Sequence, residues 1–216
     1  MKIRLKVLTP IHIGSGSQIT PLEYISITSG RISDKLGDEV GFIDMERLFS
    51  DSDFRSDMDR FISTFQNNRY IGDALPQEML FRNILYKAKV SASARGSNLI
   101  NIRPFIKSAR RIYIPGSSLK GCLLSGVIYK VAKEHNIRTL DDYNRFLGEI
   151  LGKISVLDNK RFSRWLDVED SDFKSPEECL EISLVKVTEI DTQREKGIPV
   201  LYETLKPEIV FEVNMK

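Results

Sequence analysis

The hydrophobic period of this chain switches repeatedly between two residues and the helical value of about 3.6, and that ordering restricts the fold more than any other feature. Residues 2–8 alternate, with Ile3, Leu5 and Val7 on one side and Lys2, Arg4 and Lys6 on the other. This is the pattern of an amphipathic strand with a basic outer face. Thr9-Pro10 ends it, because proline offers no N–H to a ladder, and Gly14-Ser15-Gly16 follows. Short strands are predicted at 23–28 and 40–43. Met45, Leu48 and Phe49, then Phe54, Met58, Phe61, Ile62 and Phe65, recur at helical spacing, and the same reading continues through 77–89. Two isoleucine-rich strand runs, 99–106 and 111–114, lead to Pro115-Gly116. A helix is predicted from Ser117 or Ser118. Its Leu119, Cys122, Leu123, Leu124, Val127, Ile128 and Val131 cover so wide an arc that packing on more than one side is expected. Another helix fits 140–152, and strands are expected at 180–190, 198–203 and 208–213. The last group begins with Leu180, Ile182 and Leu184 opposite Glu181, Ser183 and Val185, so its faces are not cleanly separated.

Strands interspersed with helices, several of them closely spaced, favour an α+β fold with antiparallel pairs over a doubly wound parallel sheet. Nothing in 91–98 (Ser-Ala-Ser-Ala-Arg-Gly-Ser-Asn) looks able to anchor to a core, so a mobile loop is expected there. Apolar residues at 41% and charged residues at 29% of 216 are the balance of a globular protein. With 32 basic and 30 acidic side chains the net charge is +2, which argues neither for nor against nucleic acid. Distribution matters more: Arg103, Lys107, Arg110 and Arg111 cluster, while acids gather at 51–59 and 167–178.

Cys122 and Cys179 form no Cys-x-x-Cys pair and have only two histidines to assist, so a structural zinc site of about four ligands is not expected. Asp51, Asp53, Asp57 and Asp59 look calcium-like, but Arg55 occupies a ligand slot and the loop glycine is missing. A solvated, charged helix start fits them better. No Ser–His–Asp grouping is suggested, since His135 lies in a polar run. Trp165 and Tyr129 could stack bases, although burial in a core is the commoner fate of such residues. The N-terminus lacks an apolar signal core, and no stretch approaches the roughly 18 apolar residues of a membrane span. The chain reads as cytoplasmic, with reduced thiols.

Two motifs could carry chemistry. Thr9-Pro10-Ile11-His12-Ile13-Gly14-Ser15-Gly16 follows the first strand. Its glycines would let backbone amides approach an anion, although most Gly-Ser-Gly runs are simple turns. His12, between two isoleucines, suits a hydrogen-bonded framework role. Ile114-Pro115-Gly116-Ser117-Ser118-Leu119-Lys120-Gly121 sits at a strand-to-helix junction, where unpaired N–H groups and the helix dipole suit a phosphate. The bland alternative is a serine N-cap with a surface lysine. The lysine precedes the second glycine, so this is not a Walker loop.

Together these motifs resemble the RAMP superfamily of CRISPR-associated proteins. Within it the chain is most similar to the subunit that caps the crRNA 3′-end side of the type III-A (Csm) interference complex. Leu166-Asp167-Val168-Glu169-Asp170-Ser171 resembles the family's Val-x-Asp-Ser segment, and Pro199-Val200-Leu201-Tyr202-Glu203 its Pro-x-x-x-Glu strand. The resemblance implies a ferredoxin-like (modified RRM) core with an antiparallel sheet, inserted helices and a partial second ferredoxin-like half. It implies one RAMP domain over 1–216, a helical insertion at 44–98 and that second half at 158–216. Carried over, Gly14, Ser15 and Gly16 would line a loop near RNA. Ser117, Ser118, Lys120 and Gly121 would hold phosphates, with Lys107, Arg110 and Arg111 nearby, while His12, Pro115 and Gly116 would be structural.

The implied function is that of a non-catalytic subunit that contacts the 3′ part of the crRNA, supports its maturation and complex assembly, and serves antiviral defence. Its implied partners are crRNA, neighbouring RAMP subunits and cellular nucleases that trim the 3′ end, with no membrane and no cofactor. In target-cleaving relatives an aspartate follows the His-Ile-Gly motif; here that stretch holds only Glu23, which argues against target cleavage. The alternatives are a backbone RAMP subunit of a type III complex, or a metal-independent endoribonuclease with His12 as acid or base. Members of this kind run longer, so the resemblance also implies a shortened or unusually compact chain.

Overall fold

The computed structural model describes residues 1–67, 70–145, 166–192 and 194–216. In chain order these form β1 (Lys2–Lys6), β2 (Tyr24–Thr28), β3 (Arg31–Ser33), β4 (Glu39–Ile43), α1 (Met45–Ser50) and α2 (Phe54–Gln66). A 3-10 turn (Ile71–Asp73), α3 (Gln77–Arg82), β5 (Ile84–Val90), β6 (Ile102–Arg103), β7 (Lys107–Ser108) and β8 (Arg111–Ile112) come next. Then follow α4 (Gly116–Glu134), a short helix (Pro176–Cys179), β9 (Leu180–Thr188), β10 (Glu195–Leu205) and β11 (Val210–Asn214). The chain divides into two compact units, Val7–Ile112 with Lys174–Ile209, and Met1–Lys6 with Tyr113–Phe173 and Val210–Lys216.

The larger unit is built on a seven-stranded mixed sheet of order β3-β2-β4-β5-β9-β10-β6. Its pairs are antiparallel except β5–β9 and β10–β6. At β2 both faces are covered, which explains why it reads as an unbroken buried run. Ile25 and Ile27 pack with Leu48, Phe54, Phe61 and Leu80 from the helical stretch. Tyr24 turns the other way, to Phe42, Tyr86 and Ile182. The Tyr24 hydroxyl donates to the Ile100 carbonyl at 2.9 Å, and burial raises its pKa, so it stays a donor.

The helical reading of 77–89 is corrected. Helix α3 stops at Arg82, where the Asn83 amide donates to the Met79 carbonyl at 2.9 Å. From Ile84 the period is two, with Tyr86, Ala88 and Val90 buried and Lys89 exposed, and β5 lies between β4 and β9. The 91–98 segment is also anchored after all. Ala94 has no exposure, the Ser91 N–H donates to the Ile182 carbonyl at 2.9 Å and the Gly96 N–H to the Leu36 carbonyl at 2.7 Å. The mixed faces of β9 have a structural cause. Its first residues meet β5 at Glu181 and Ile182, whereas its distal half pairs only with β10, leaving Val187 64% exposed.

In the smaller unit β1 pairs antiparallel with β11, Lys2 opposite Asn214 through Lys6 opposite Val210. The predicted alternation holds, with Lys2, Arg4 and Lys6 exposed. Expectations for α4 do not hold. Among its residues only Gly116 and Ala132 are buried, and Val127 is 46% exposed. Tyr129, expected in a core, is 68% exposed. Residues 140–145 are helical; the rest of the predicted 140–152 helix, and Trp165, lie outside the described residues. Among the described residues no helix is long and apolar enough to cross a membrane.

Candidate nucleic-acid interface

In the larger unit the 13–16 loop runs beside 104–106. The Ile106 N–H donates to the Ile13 carbonyl at 2.8 Å, Gly14 bridges Phe105, and the Ser15 N–H reaches the Pro104 carbonyl at 3.3 Å. Gly16 has φ 85°, a left-handed conformation costly for other residues, and a side chain there would meet open space. Gly14 is small for a different reason: a Cβ would lie 3.0 Å from His12 Nε2. The His12 ring is half-buried and packs edge-on to Tyr202 at 4.6 Å. Its Nδ1 donates to the Glu203 carbonyl at 2.8 Å.

Glu203, the glutamate of the Pro-x-x-x-Glu strand, is the centre of this arrangement, and the sequence does not show which groups it holds. Its side chain has no exposure, and its carboxylate accepts from the Tyr86 hydroxyl at 2.6 Å, from the Phe105 N–H at 2.8 Å and from the Lys107 ammonium. Burial and the Glu203 charge push the Tyr86 pKa well above its ordinary value, so Tyr86 remains a donor. The Lys107 ammonium also lies over the Tyr86 ring, 5.1 Å from its centroid. Ser15 and Lys107 line one cleft of about 300 Å³. Glu23 lines it too, and its carboxylate accepts from the Thr20 N–H at 2.8 Å and hydroxyl at 2.9 Å.

The basic stretch is folded into a hairpin. β7 and β8 turn through Ala109 and Arg110, at φ 47° and 64°, the left-handed pair of a two-residue type I′ turn. Non-glycine residues there cost about 1 kcal/mol each. The Arg110 guanidinium meets the Asp44 carboxylate at 3.1 Å. Arg111 is exposed at the start of β8, and Arg103 lies over the Tyr202 ring, 5.8 Å from its centroid.

In the smaller unit α4 begins after Pro115, whose carbonyl accepts the Ser118 and Leu119 N–H groups at 3.0 and 3.1 Å. Proline has no side-chain acceptor, and the capping role passes to a distant residue. Asp170 Oδ1 accepts the Gly116 N–H at 2.8 Å. Beside it the Ser171 hydroxyl accepts the Ile114 N–H at 2.8 Å. The Asp-Ser segment thus locks the turn from outside, and the N-cap position is held by Pro115 rather than by either serine of the Ser117-Ser118 pair. Both are exposed, as is Gly121, where a Cβ would meet nothing. Lys120 is half-buried, the fifth residue of the helix, and no acid stands in the first turn.

The aspartates at 51–59 take the charged-helix-start reading. Arg82 donates to Asp51 through Nε at 2.6 Å and also meets Asp53 at 2.7 Å. Among the described residues no cluster of His, Cys, Asp and Glu suits a metal, and Cys122 and Cys179 are free thiols.

Two curated relatives carry the name CRISPR system Cms protein Csm5. The protein from Methanocaldococcus jannaschii is 27% identical over 186 residues, 79% of this chain and 42% of that protein. The one from Streptococcus thermophilus is 25% identical over 236 residues, 99% of this chain and 63% of that protein. This chain therefore spans between two fifths and two thirds of these relatives' length. The crystal structure of T. onnurineus Csm5 matches 99% of the chain and 67% of its own at TM-score 0.70 and 23% identity, a likeness of fold. A chain of the cryo-EM Csm–crRNA–target RNA ternary complex of a type III-A CRISPR-Cas system matches 99% of this one and 63% of its own, at TM-score 0.67 and 25% identity. These likenesses bear out the α+β, ferredoxin-related architecture expected from the sequence. The RAMP superfamily profile matches residues 4–215, and the chain belongs to the RAMP superfamily.

Proposed function

We propose that this chain is a non-catalytic RNA-binding structural subunit of a type III-A CRISPR complex, contacting the 3′ part of the crRNA and supporting its maturation and complex assembly. Its work is in the cytoplasm, in antiviral defence, with crRNA, neighbouring RAMP subunits and 3′-trimming nucleases as partners. The observation that carries the reading is the match over 99% of the chain to a component of a Csm–crRNA–target RNA complex. The site chemistry supports it. The 14–16 loop presents glycine backbone at the surface, and α4 opens with exposed hydroxyls ahead of Lys120. Such surfaces touch phosphate and ribose, so they fix position without reading sequence. The test is ultraviolet cross-linking of the assembled complex. Guide RNA joined to this subunit near its 3′ end is expected; RNA joined only to other subunits would overturn the assignment.

A second reading, a metal-independent endoribonuclease, has one observation in its favour. The Nδ1–H of His12 is held by the Glu203 carbonyl, so in the neutral ring Nε2 is left as the proton acceptor. A fixed imidazole of this kind could take a proton from a ribose 2′-hydroxyl. Incubation with repeat RNA in EDTA separates the two readings: the structural subunit leaves it intact, whereas discrete cleavage lost in His12→Ala would establish the enzyme.

A further inference from the structure

An open groove of about 570 Å³ lies within the larger unit, lined by residues of 18–22, 99–103 and 199–200. Its volume falls in the range of small-ligand sites. Leu22, Leu99, Ile100 and Val200 supply apolar surface, and among the described residues Arg103 is the one charged side chain in the lining. A phosphate site would demand more positive charge than that. A flat, largely neutral heteroaromatic fits better.

The polar groups are arranged for such a ring. Asn101 Nδ2 donates to Gln18 Oε1 at 3.0 Å, and both side chains are exposed. That bond leaves the Asn101 carbonyl oxygen as an acceptor and the Gln18 amide nitrogen as a donor. Paired amides of this kind match the donor and acceptor edge of a nucleobase. Arg103, set over Tyr202, adds a guanidinium for the face of the ring.

The groove is also close to the glycine loop along the chain. Gln18 follows Gly16 by two residues, and Ile19 exchanges N–H···O bonds of 2.9 and 2.8 Å with Ile102, joining the two lining segments. RNA whose backbone passes the 14–16 loop would have its next bases within reach of this opening. We propose that the groove receives one unstacked base of single-stranded RNA, a claim that rests on the RNA-binding reading above. The site adds affinity for base over bare backbone at one nucleotide.

The test uses two labelled oligoribonucleotides of equal length, one normal and one with abasic riboses throughout, titrated against wild type, Gln18→Ala/Asn101→Ala and Val200→Trp. Wild type is expected to prefer the base-bearing strand by about tenfold, the scale of one base contact. The double variant should lose most of that preference while binding the abasic strand as wild type does. Val200→Trp, which fills the groove, should do the same. Equal binding of both strands by wild type would overturn the base site and leave backbone binding standing. An undiminished preference in the double variant, its fold verified by thermal melting, would also overturn the site. Binding of neither strand would overturn the RNA-binding reading itself, and this site with it.

Discussion

The Lys107 ammonium rests against the carboxylate of Glu203, a side chain with no solvent exposure whose backbone carbonyl also accepts His12 Nδ1. Three parts of the chain, at 12, 86 and 105–107, are thereby tied to one residue of β10. The histidine, the basic stretch and the Pro-x-x-x-Glu strand noted in the sequence are one hydrogen-bonded unit.

Removing that carboxylate leaves a partly buried cation and two buried donors short of their acceptor. Glu203→Ala is expected to cost about 3–5 kcal/mol in urea unfolding, the range for breaking a buried pair from one side. Glu203→Gln keeps two acceptor lone pairs and should cost less. Adding Lys107→Met to Glu203→Gln removes the orphaned charge and should recover part of the loss. A loss within experimental error for Glu203→Ala would refute the hub.

Asp51 carries a prediction in pH. Hydrogen bonds from Arg82, then from Asn83, hold its carboxyl well below the usual carboxylate range near 4. A folded-state pKa that is depressed contributes stability above the unfolded value, and that contribution is lost as pH falls toward the folded value. Asp51→Asn should therefore melt below wild type at pH 7, with the gap narrowing as pH falls below about 4. A gap independent of pH would assign the effect to packing instead.

Two glycines of one helix should behave oppositely. A Cβ on Gly116 would lie 2.1 Å from the Val168 carbonyl oxygen, which is backbone and cannot swing aside. Gly116→Ala should destabilise by about 1–3 kcal/mol or more. At Gly121 a Cβ meets nothing, so Gly121→Ala should stabilise α4 by up to about 1 kcal/mol. If RNA backbone approaches there, the same variant binds RNA more weakly while melting higher. Unchanged affinity would remove Gly121 from the interface.

Fold class was legible because period-two and helical patterns are local. β1 and β2, and the α1 and α2 stripes, needed no tertiary information. β5 was missed because the apolar spacing of α3 runs on past Asn83, although the Tyr86, Ala88, Val90 alternation carried the signal. The anchoring of Ala94 and the exposure of α4 depend on what lies opposite, which no local pattern records. The glycine motifs and the Asp170-Ser171 and Glu203 segments were visible, but which segment holds which motif was not. His12 and Glu203 are 191 positions apart, and Asp170 caps a helix 54 positions before it.

RNA affinity measured across a salt series, for wild type and Lys120→Ala/Arg111→Ala, tests backbone gripping most directly. Wild type should lose affinity linearly in log salt, and the double variant should bind more weakly at low salt with a slope shallower by about 1.4, two phosphate contacts at about 0.7 each. Identical affinities and slopes for the two proteins would contradict the account.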